Sequence, residues 1–151
     1  LLSRLALSFE HEHAGYFIDL RARSLPTAHA DEDRVADVLA TVLRHAARTS
    51  LPGRLRISAR GTTGSVSVRV EDTAPRIPVR YREAVFLADQ PVPRAWGWPE
   101  AGLGLNLYVA RELARAMGGD LVVEGIGAAR ARRGNAWVLS LPRQSAPRRK
   151  P

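Results

Sequence analysis

The spacing of apolar residues along this chain changes twice from a helical period to a strand period. Residues 31–50 begin with three acids within the first three positions, which favour the positive end of a helix dipole. An apolar stripe then follows at helical spacing: Val35, Val38, Leu39, Val42, Leu43 and Ala46. This pattern predicts an amphipathic helix with one face in the core. Residues 54–60 and 65–71 alternate apolar with polar, and the GTTG turn between them predicts an antiparallel hairpin.

The same order returns in the second half of the chain. A second helix is predicted over residues 102–117, ended by Gly118-Gly119, and residues 120–125 and 135–142 predict a second hairpin. The apolar stripe of this helix is Leu105, Val109, Leu113 and Met117. A helix over residues 1–13 and a short strand beginning at Phe17 precede these elements. The order predicts an α+β fold, a two-layer α/β sandwich with a mixed, mostly antiparallel sheet covered on one face by helices.

Composition excludes several classes of protein. The chain has 151 residues and no cysteine, so it has no disulfide, and no apolar run approaches the ~20 residues of a membrane span. The net charge of +8 is shared between the fold and residues 143–151, a Pro-rich segment with four basic residues and no acid. Because nearly all other basic residues are arginines spread along the chain, we expect a solvated basic tail over 143–151 and no nucleic-acid partner.

A long irregular segment separates the two halves. Residues 79–88 are compatible with a short helix, and residues 87–101 hold three prolines, one glycine and two tryptophans. Loops of this length are typically lids or disordered segments, so we expect a mobile lid here. Trp96 and Trp98 either cap a ligand or anchor the lid to the core. Gly102 and Gly104 then stand where the loop becomes a helix, a place where backbone N–H groups suit a phosphate chain.

Three segments in this order carry a family resemblance: ADEDRVADVLATVLRHAARTS, SVSVRVEDTAPRIP and GLGLNLYVARELARAMGGDLVVEG. Together they resemble the ATP-binding domain of bacterial sensor histidine kinases, in the gyrase/Hsp90/histidine kinase/MutL superfamily with its Bergerat-type ATP-binding fold. The segment REAVFLAD, with Phe86, resembles the F box, and RGNAWVLSLP resembles the last strand. The resemblance runs from about residue 16 to residue 142 and implies ATP and Mg²⁺ as cofactors.

The resemblance also implies roles for individual residues. Asp72 stands where the family's aspartate accepts a hydrogen bond from the adenine amino group, and Gly102 and Gly104 stand beside the phosphates. The lid corresponds to residues 79–101. The residues expected to bind nucleotide are Thr41, His45, Asp72, Arg76, Ile77, Gly102, Leu103, Gly104 and Leu105.

The sequence departs from the family at these same boxes. Two asparagines are replaced by Thr41 and His45, and His45 holds the position of the Mg²⁺ ligand although imidazole suits zinc, copper or nickel better. Ala74 and Arg76 replace both glycines of the strand-end motif, and Arg76 either binds phosphate or fills the site. Glu100 and Ala101 also replace small polar residues and glycine before GLGL.

The resemblance implies an ATP-binding catalytic domain of a two-component sensor histidine kinase, which supplies the γ-phosphate to a histidine on a separate domain. The alternative is a pseudo-ATPase, a docking or regulatory module that binds ATP weakly or not at all. An anti-sigma-factor serine kinase is a third, weaker interpretation. The implied partners are a dimerisation and phosphoacceptor helical domain and a response regulator, within a homodimeric parent protein. Whether that parent is membrane-bound is left open by the resemblance, and this chain is expected to be a soluble portion of it.

Further expectations follow for the organisation of the chain. Because the chain begins at Leu1 without an initiator methionine, we expect a piece of a longer protein. The resemblance implies that this piece is the cytoplasmic portion of a sensor protein. Residues 1–15 are predicted to form a helical connector from a preceding dimerisation domain or, equally, a helix packed on its own domain. Residues 16–142 are expected to form the histidine-kinase-like ATP-binding domain, and residues 143–151 a disordered basic tail. No histidine lies in a phosphoacceptor motif, so we expect no catalytic residue and no self-phosphorylation in the isolated chain.

Overall fold

The computed structural model describes residues 1–22, 25–87, 103–127 and 133–143, with the backbone alone for residues 103–105. It has three helices, α1 (Leu2–Glu12), α2 (Glu32–Thr49) and α3 (Leu103–Ala116). Its five strands are β1 (Tyr16–Ala22), β2 (Gly53–Gly61), β3 (Ser65–Glu71), β4 (Asp120–Gly125) and β5 (Asn135–Pro142). Two short 3₁₀ turns, Val79–Tyr81 and Ala84–Phe86, follow β3. In the part of the chain described, no helix is long and apolar enough to cross a membrane.

The five strands form one sheet in the order β1-β2-β3-β5-β4. Strands β2 and β3 form the first predicted hairpin and β4 and β5 the second, and β3 pairs antiparallel with β5. Strand β1 runs parallel to β2, because α2 supplies the crossover that parallel neighbours require. The predicted mixed, mostly antiparallel sheet is therefore confirmed.

Helix α2 forms as its sequence predicts. The side chain of Asp31 accepts a hydrogen bond from the backbone N–H of Arg34 at 3.0 Å, which caps the first turn. All six residues of the predicted apolar stripe are buried, and His45 and Thr49 are buried with them. The helix ends before Gly53, whose φ of +149° turns the chain into β2.

The buried face of α3 differs from the predicted one. Leu107, Ala110 and Ala114 are fully buried, whereas Val109 is 46% exposed and its assignment to the core stripe is wrong. Leu113 and Met117 are only partly buried against the core. Arg111 is buried on the same face because ion pairs hold it there, and small alanines fill the rest, which a count of large apolar residues misses.

Two glycines end α3 as the sequence predicts. Gly118 has a φ of +77°, and the N–H of Gly119 donates to the carbonyl of Ala114 at 3.0 Å, closing a C-terminal cap. A Cβ on Gly119 would overlap the backbone carbonyl of Ser140 in β5. The pair therefore both stops the helix and lets β4 begin directly beside β5.

Helix α1 packs on its own domain. Ala6 and Phe9 are buried, and the Phe9 ring stacks on His13 with ring centroids 4.2 Å apart. The hydroxyl of Tyr16 donates to the carbonyl of Ala47 at 2.7 Å and so joins β1 to the end of α2. Of the two alternatives for the first helix, the structure shows packing on the domain, and the connector role stays a prediction.

Candidate functional site

The carboxylate of Asp72 lies one residue beyond the end of β3 and is 4% exposed. Its backbone N–H donates to the carbonyl of Asn135 at 2.9 Å, which extends the pairing of β3 with β5 by one step. Its Oδ1 accepts from the backbone N–H of Ala74 at 2.9 Å and from both the backbone and the side-chain amide of Asn135 at 3.1 Å. Its Oδ2 accepts from the indole Nε1 of Trp137 at 2.8 Å. Both carboxylate oxygens are therefore engaged by the protein itself.

Burial and hydrogen bonding act on Asp72 in opposite directions. Burial, the larger effect, raises the pKa of the carboxyl above its ordinary value, and the hydrogen bonds from Trp137, Ala74 and Asn135 lower it. The fully buried Asn135 also accepts from the N–H of Ile77 at 2.8 Å and donates to the carbonyl of Pro75 at 3.1 Å. Asn135 thus pins the loop after β3 against the start of β5.

The Trp137 indole connects Asp72 to the middle of α2. Trp137 is 1% exposed, and the ring of His45 meets it edge-on with centroids 4.8 Å apart. Burial, and secondarily the charge of Arg48, lowers the pKa of His45 to about 3, so its imidazole is neutral at physiological pH. Three side chains therefore contact one another in a continuous buried row: His45, Trp137 and Asp72.

A cavity of about 280 Å³ lies between α2 and α3, next to this row. Helix α2 contributes one face of polar residues at i, i+3, i+4 and i+7 spacing, and the first two turns of α3 close the other side. The described lining residues are His13, Thr41, Arg44, His45, Arg48, Asn106 and Leu107. They include two guanidinium groups and no carboxylate. Thr41 Oγ1 accepts from Arg44 Nη2 at 3.2 Å, which steadies one of these arginines.

Arg76 lies half-buried at the end of β4. Its Nη1 donates to the carbonyl of Ile126 at 3.3 Å, and a Cβ on Gly125 would overlap its guanidinium. The side chain therefore packs on the backbone of β4 instead of extending into bulk solvent. Ala74, at the position of the other replaced glycine, is 1% exposed, and its carbonyl accepts from the N–H of Gly134 at 2.8 Å.

The structure brings together some of the predicted nucleotide-binding residues. Thr41 and His45 line the cavity, whereas Asp72 lies beyond Trp137 and does not line it. The side chain of Ile77 is buried in the core. Leu103, Gly104 and Leu105 form the first turn of α3, where only their backbone is described. Gly102, most of the lid with Trp96, Trp98, Glu100 and Ala101, and residues 144–151 lie outside the described residues.

Several residues of this region were not identified from the sequence, among them Arg44, Arg48, Asn106, Asn135 and Trp137. A signal for the first two was present, because Thr41, Arg44, His45 and Arg48 repeat at the spacing of a single helix face. A buried tryptophan usually needs an acceptor for its N–H. The sequence therefore indicates that Trp137 has an acceptor nearby, but it does not show which residue supplies it. For Asn135 the sequence carried no signal beyond its place at the start of a strand.

Comparison with known proteins agrees with this geometry. Residues 30–145 match the family described as histidine kinase-, DNA gyrase B-, and HSP90-like ATPase. The chain is 32% identical over 121 residues to the adaptive-response sensory kinase SasA of Synechococcus sp. (strain JA-3-3Ab). That alignment covers 78% of this chain and 30% of SasA, so the chain spans less than a third of this relative.

Solved structures share the fold. The mycobacterial sensor histidine kinase MprB superposes with a TM-score of 0.79 at 22% identity, covering 96% of this chain and 95% of that one. Full-length ShkA in complex with AMPPNP superposes with a TM-score of 0.75 at 27% identity, covering 96% of this chain and 30% of ShkA. Since the match to the family model extends over residues 30–145, most of the 151-residue chain, the chain belongs to the histidine kinase-, DNA gyrase B-, and HSP90-like ATPase family.

Proposed function

We propose that this chain is the ATP-binding domain of a two-component sensor histidine kinase and that it binds ATP weakly. The observation that carries the proposal is the cavity of about 280 Å³ in which the polar face of α2 lies opposite Asn106 and Leu107, the residues that follow the glycine-containing first turn of α3. Backbone N–H groups at a helix start and arginine side chains both suit phosphate.

The role of the whole protein is proposed from the same family. A domain of this kind presents the γ-phosphate of ATP to a histidine on a separate helical dimerisation domain, and a response regulator then receives the phosphoryl group. The parent protein would act as a homodimer with this domain in the cytoplasm. The named relative is a sensory kinase, which supports this assignment.

Weak binding is expected because the protein itself already donates four hydrogen bonds to the Asp72 carboxylate. Because Oδ1 accepts three of these bonds and Oδ2 the fourth, an incoming adenine amino group would have to share Oδ2 with the indole of Trp137. The Cβ of Ala74 also stands where the family has glycine, beside the same carboxylate. Both features favour, as the second candidate, a pseudo-ATPase that keeps the fold as a docking or regulatory module.

Calorimetric titration with a non-hydrolysable ATP analogue, compared with the corresponding GTP analogue, tests this proposal on the unmodified chain. We expect measurable binding of the ATP analogue and at least threefold weaker binding of the GTP analogue, because the carboxylate of Asp72 can accept from an amino group and not from a carbonyl. Asp72→Asn should lower affinity for the ATP analogue, whereas Asp33→Asn, on the exposed first turn of α2, should not.

Thermal unfolding of both variants shows whether each has kept its fold before affinities are compared. Absence of binding by either nucleotide analogue, in a chain that unfolds cooperatively, would reject ATP binding and leave the pseudo-ATPase.

A further inference from the structure

The cavity between α2 and α3 has the wrong ligands for the metal that this family's catalysis implies. Mg²⁺ takes near-octahedral oxygen ligands and is usually held through carboxylates or an amide. Here Thr41 offers one hydroxyl, which already accepts from Arg44, and Asn106 offers one exposed side-chain amide. Across the described residues, no group of three or more His, Asp or Glu side chains is placed to hold a metal ion.

His45 does not supply the ligand that Mg²⁺ lacks in this cavity. His45 is 3% exposed, and its ring packs edge-on against Trp137. It is therefore part of the buried row as well as of the cavity wall. Imidazole is also a poor ligand for Mg²⁺. The residues present therefore do not fit a magnesium ion at this position.

The same cavity supplies positive charge from the protein instead. Arg44 and Arg48 lie one turn apart on α2 and both line the cavity, on either side of His45. A guanidinium is always charged and matches phosphate oxygens with paired N–H donors. The described lining contains no acid that would neutralise either arginine within the cavity. Arg44 and Arg48, both solvent-exposed, thus bring two permanent positive charges to the cavity.

We propose that the polyphosphate of a nucleotide binds in this cavity without Mg²⁺, its charge neutralised by Arg44 and Arg48. This inference rests on the proposed function and adds the form of the ligand: free ATP rather than the magnesium complex. Excess Mg²⁺ lowers the concentration of free ATP. The magnesium complex of ATP would also bring the Mg²⁺ ion close to the positive charges of Arg44 and Arg48. Magnesium should therefore weaken the apparent affinity, the reverse of the behaviour of a metal-dependent site.

Calorimetric titration of the full chain with a non-hydrolysable ATP analogue, in EDTA and in excess Mg²⁺, tests this inference, with inorganic triphosphate as a second probe. We expect equal or tighter binding of the analogue in EDTA, and binding of triphosphate in EDTA. Arg44→Gln and Arg48→Gln should each weaken both probes about tenfold, the effect of losing a charge-assisted hydrogen bond. Arg34→Gln, at an exposed position on the first turn of the same helix, should change neither by more than about twofold.

The outcomes separate this inference from the proposed function. Binding of the analogue at least tenfold tighter in Mg²⁺ than in EDTA would overturn the inference and leave the ATP-binding domain in place. Triphosphate binding that both glutamine variants weaken, with no binding of the nucleotide analogue, would support the arginine site and reject ATP as its ligand. Unchanged affinities in Arg44→Gln and Arg48→Gln would overturn the inference in either case, and thermal unfolding of each variant confirms that the helix is intact.

Discussion

A single indole N–H is the only hydrogen-bond donor within the described residues that contacts Oδ2 of Asp72. Trp137 Nε1 donates to Oδ2 at 2.8 Å, while Asn135 and Ala74 use Oδ1. The Trp137 ring is fixed in turn by His45 on one side and by Phe86, whose ring centroid lies 6.1 Å away. The donor is therefore held in place by core packing, and an incoming base has to displace it or share the acceptor.

Trp137→Phe removes this donor and keeps an aromatic ring in the core. We expect affinity for a non-hydrolysable ATP analogue to rise about three- to tenfold, the worth of one hydrogen bond, because Oδ2 becomes free to accept from adenine. The unfolding free energy should fall by about 1–2 kcal/mol from the lost bond and the smaller ring. Phe86→Leu, which also thins the core beside Trp137, serves as the control and should lose stability without gaining affinity. Unchanged affinity in a folded Trp137→Phe protein would contradict this account.

Individual site residues could be identified from the sequence where they stand at a fixed position in a family motif. Asp72, Thr41 and His45 were identified because they stand at boxes with fixed spacing, and their nucleotide-binding roles stay predictions. The partners of Asp72 were not identified, since Asn135 and Trp137 lie more than 60 residues away and meet it only through the pairing of β3 with β5. Contacts across a sheet depend on its register, which local patterns do not specify.

At the level of elements, Arg111 in α3 contacts the start of β4 and Glu83, which lies between the two 3₁₀ turns. It is 7% exposed, and its Nε and Nη2 donate to the Asp120 carboxylate at 2.9 and 3.1 Å. Its Nη1 donates to Glu83 at 2.6 Å, and its guanidinium lies 4.8 Å from the centroid of the Phe86 ring. These contacts raise the pKa of Arg111 and lower that of Asp120. One side chain thereby positions three separate segments.

Arg111→Gln should lower the unfolding free energy by about 2–3 kcal/mol, since it leaves Asp120 without its bidentate partner. The loss is smaller than for a fully buried pair because Glu83 is largely exposed. Arg115→Gln is the matched control, because Arg115 is half-exposed and bonds Asp120 at 3.3 Å; it should cost less than about 1 kcal/mol. Urea unfolding of both variants measures the difference. Equal stabilities for the two variants would show that the Arg111 contacts contribute little.

Elements with strong periodicity were predicted well, and those shaped by tertiary contacts were not. Helix α2 and the two hairpins follow directly from apolar spacing and turn residues. In α3 the predicted core face included Val109, which is exposed. The buried positions are instead held by Arg111, through its ion pair, and by Ala110 and Ala114, whose side chains look polar or neutral in the sequence. The sheet order β1-β2-β3-β5-β4 depends on which strands meet over long separations, which periodicity does not encode.

For the molecule as a whole, the buried row of His45, Trp137 and Asp72 makes stability depend on pH. The folded state holds His45 neutral with a pKa of about 3, against 6.5 in the unfolded chain. Below pH 6.5 the unfolded chain therefore binds a proton that the folded one does not, and stability falls as the pH falls towards 3. Asp72 acts with the opposite sign: its raised pKa means that the folded state takes up a proton first as the pH falls, which favours folding.

The decline from neutral pH should therefore come from His45. Between about pH 7 and pH 5 the unfolding free energy should drop by about 2 kcal/mol, 1.36 kcal/mol for each pH unit below the unfolded pKa. Urea unfolding at the two pH values measures it. His45→Gln has no ionisable group at this position, so its stability should start lower at pH 7 and change little over the same range. A fall of equal size in His45→Gln would assign the acid sensitivity to other groups, because only the unmodified chain has to charge an imidazole that its core holds neutral.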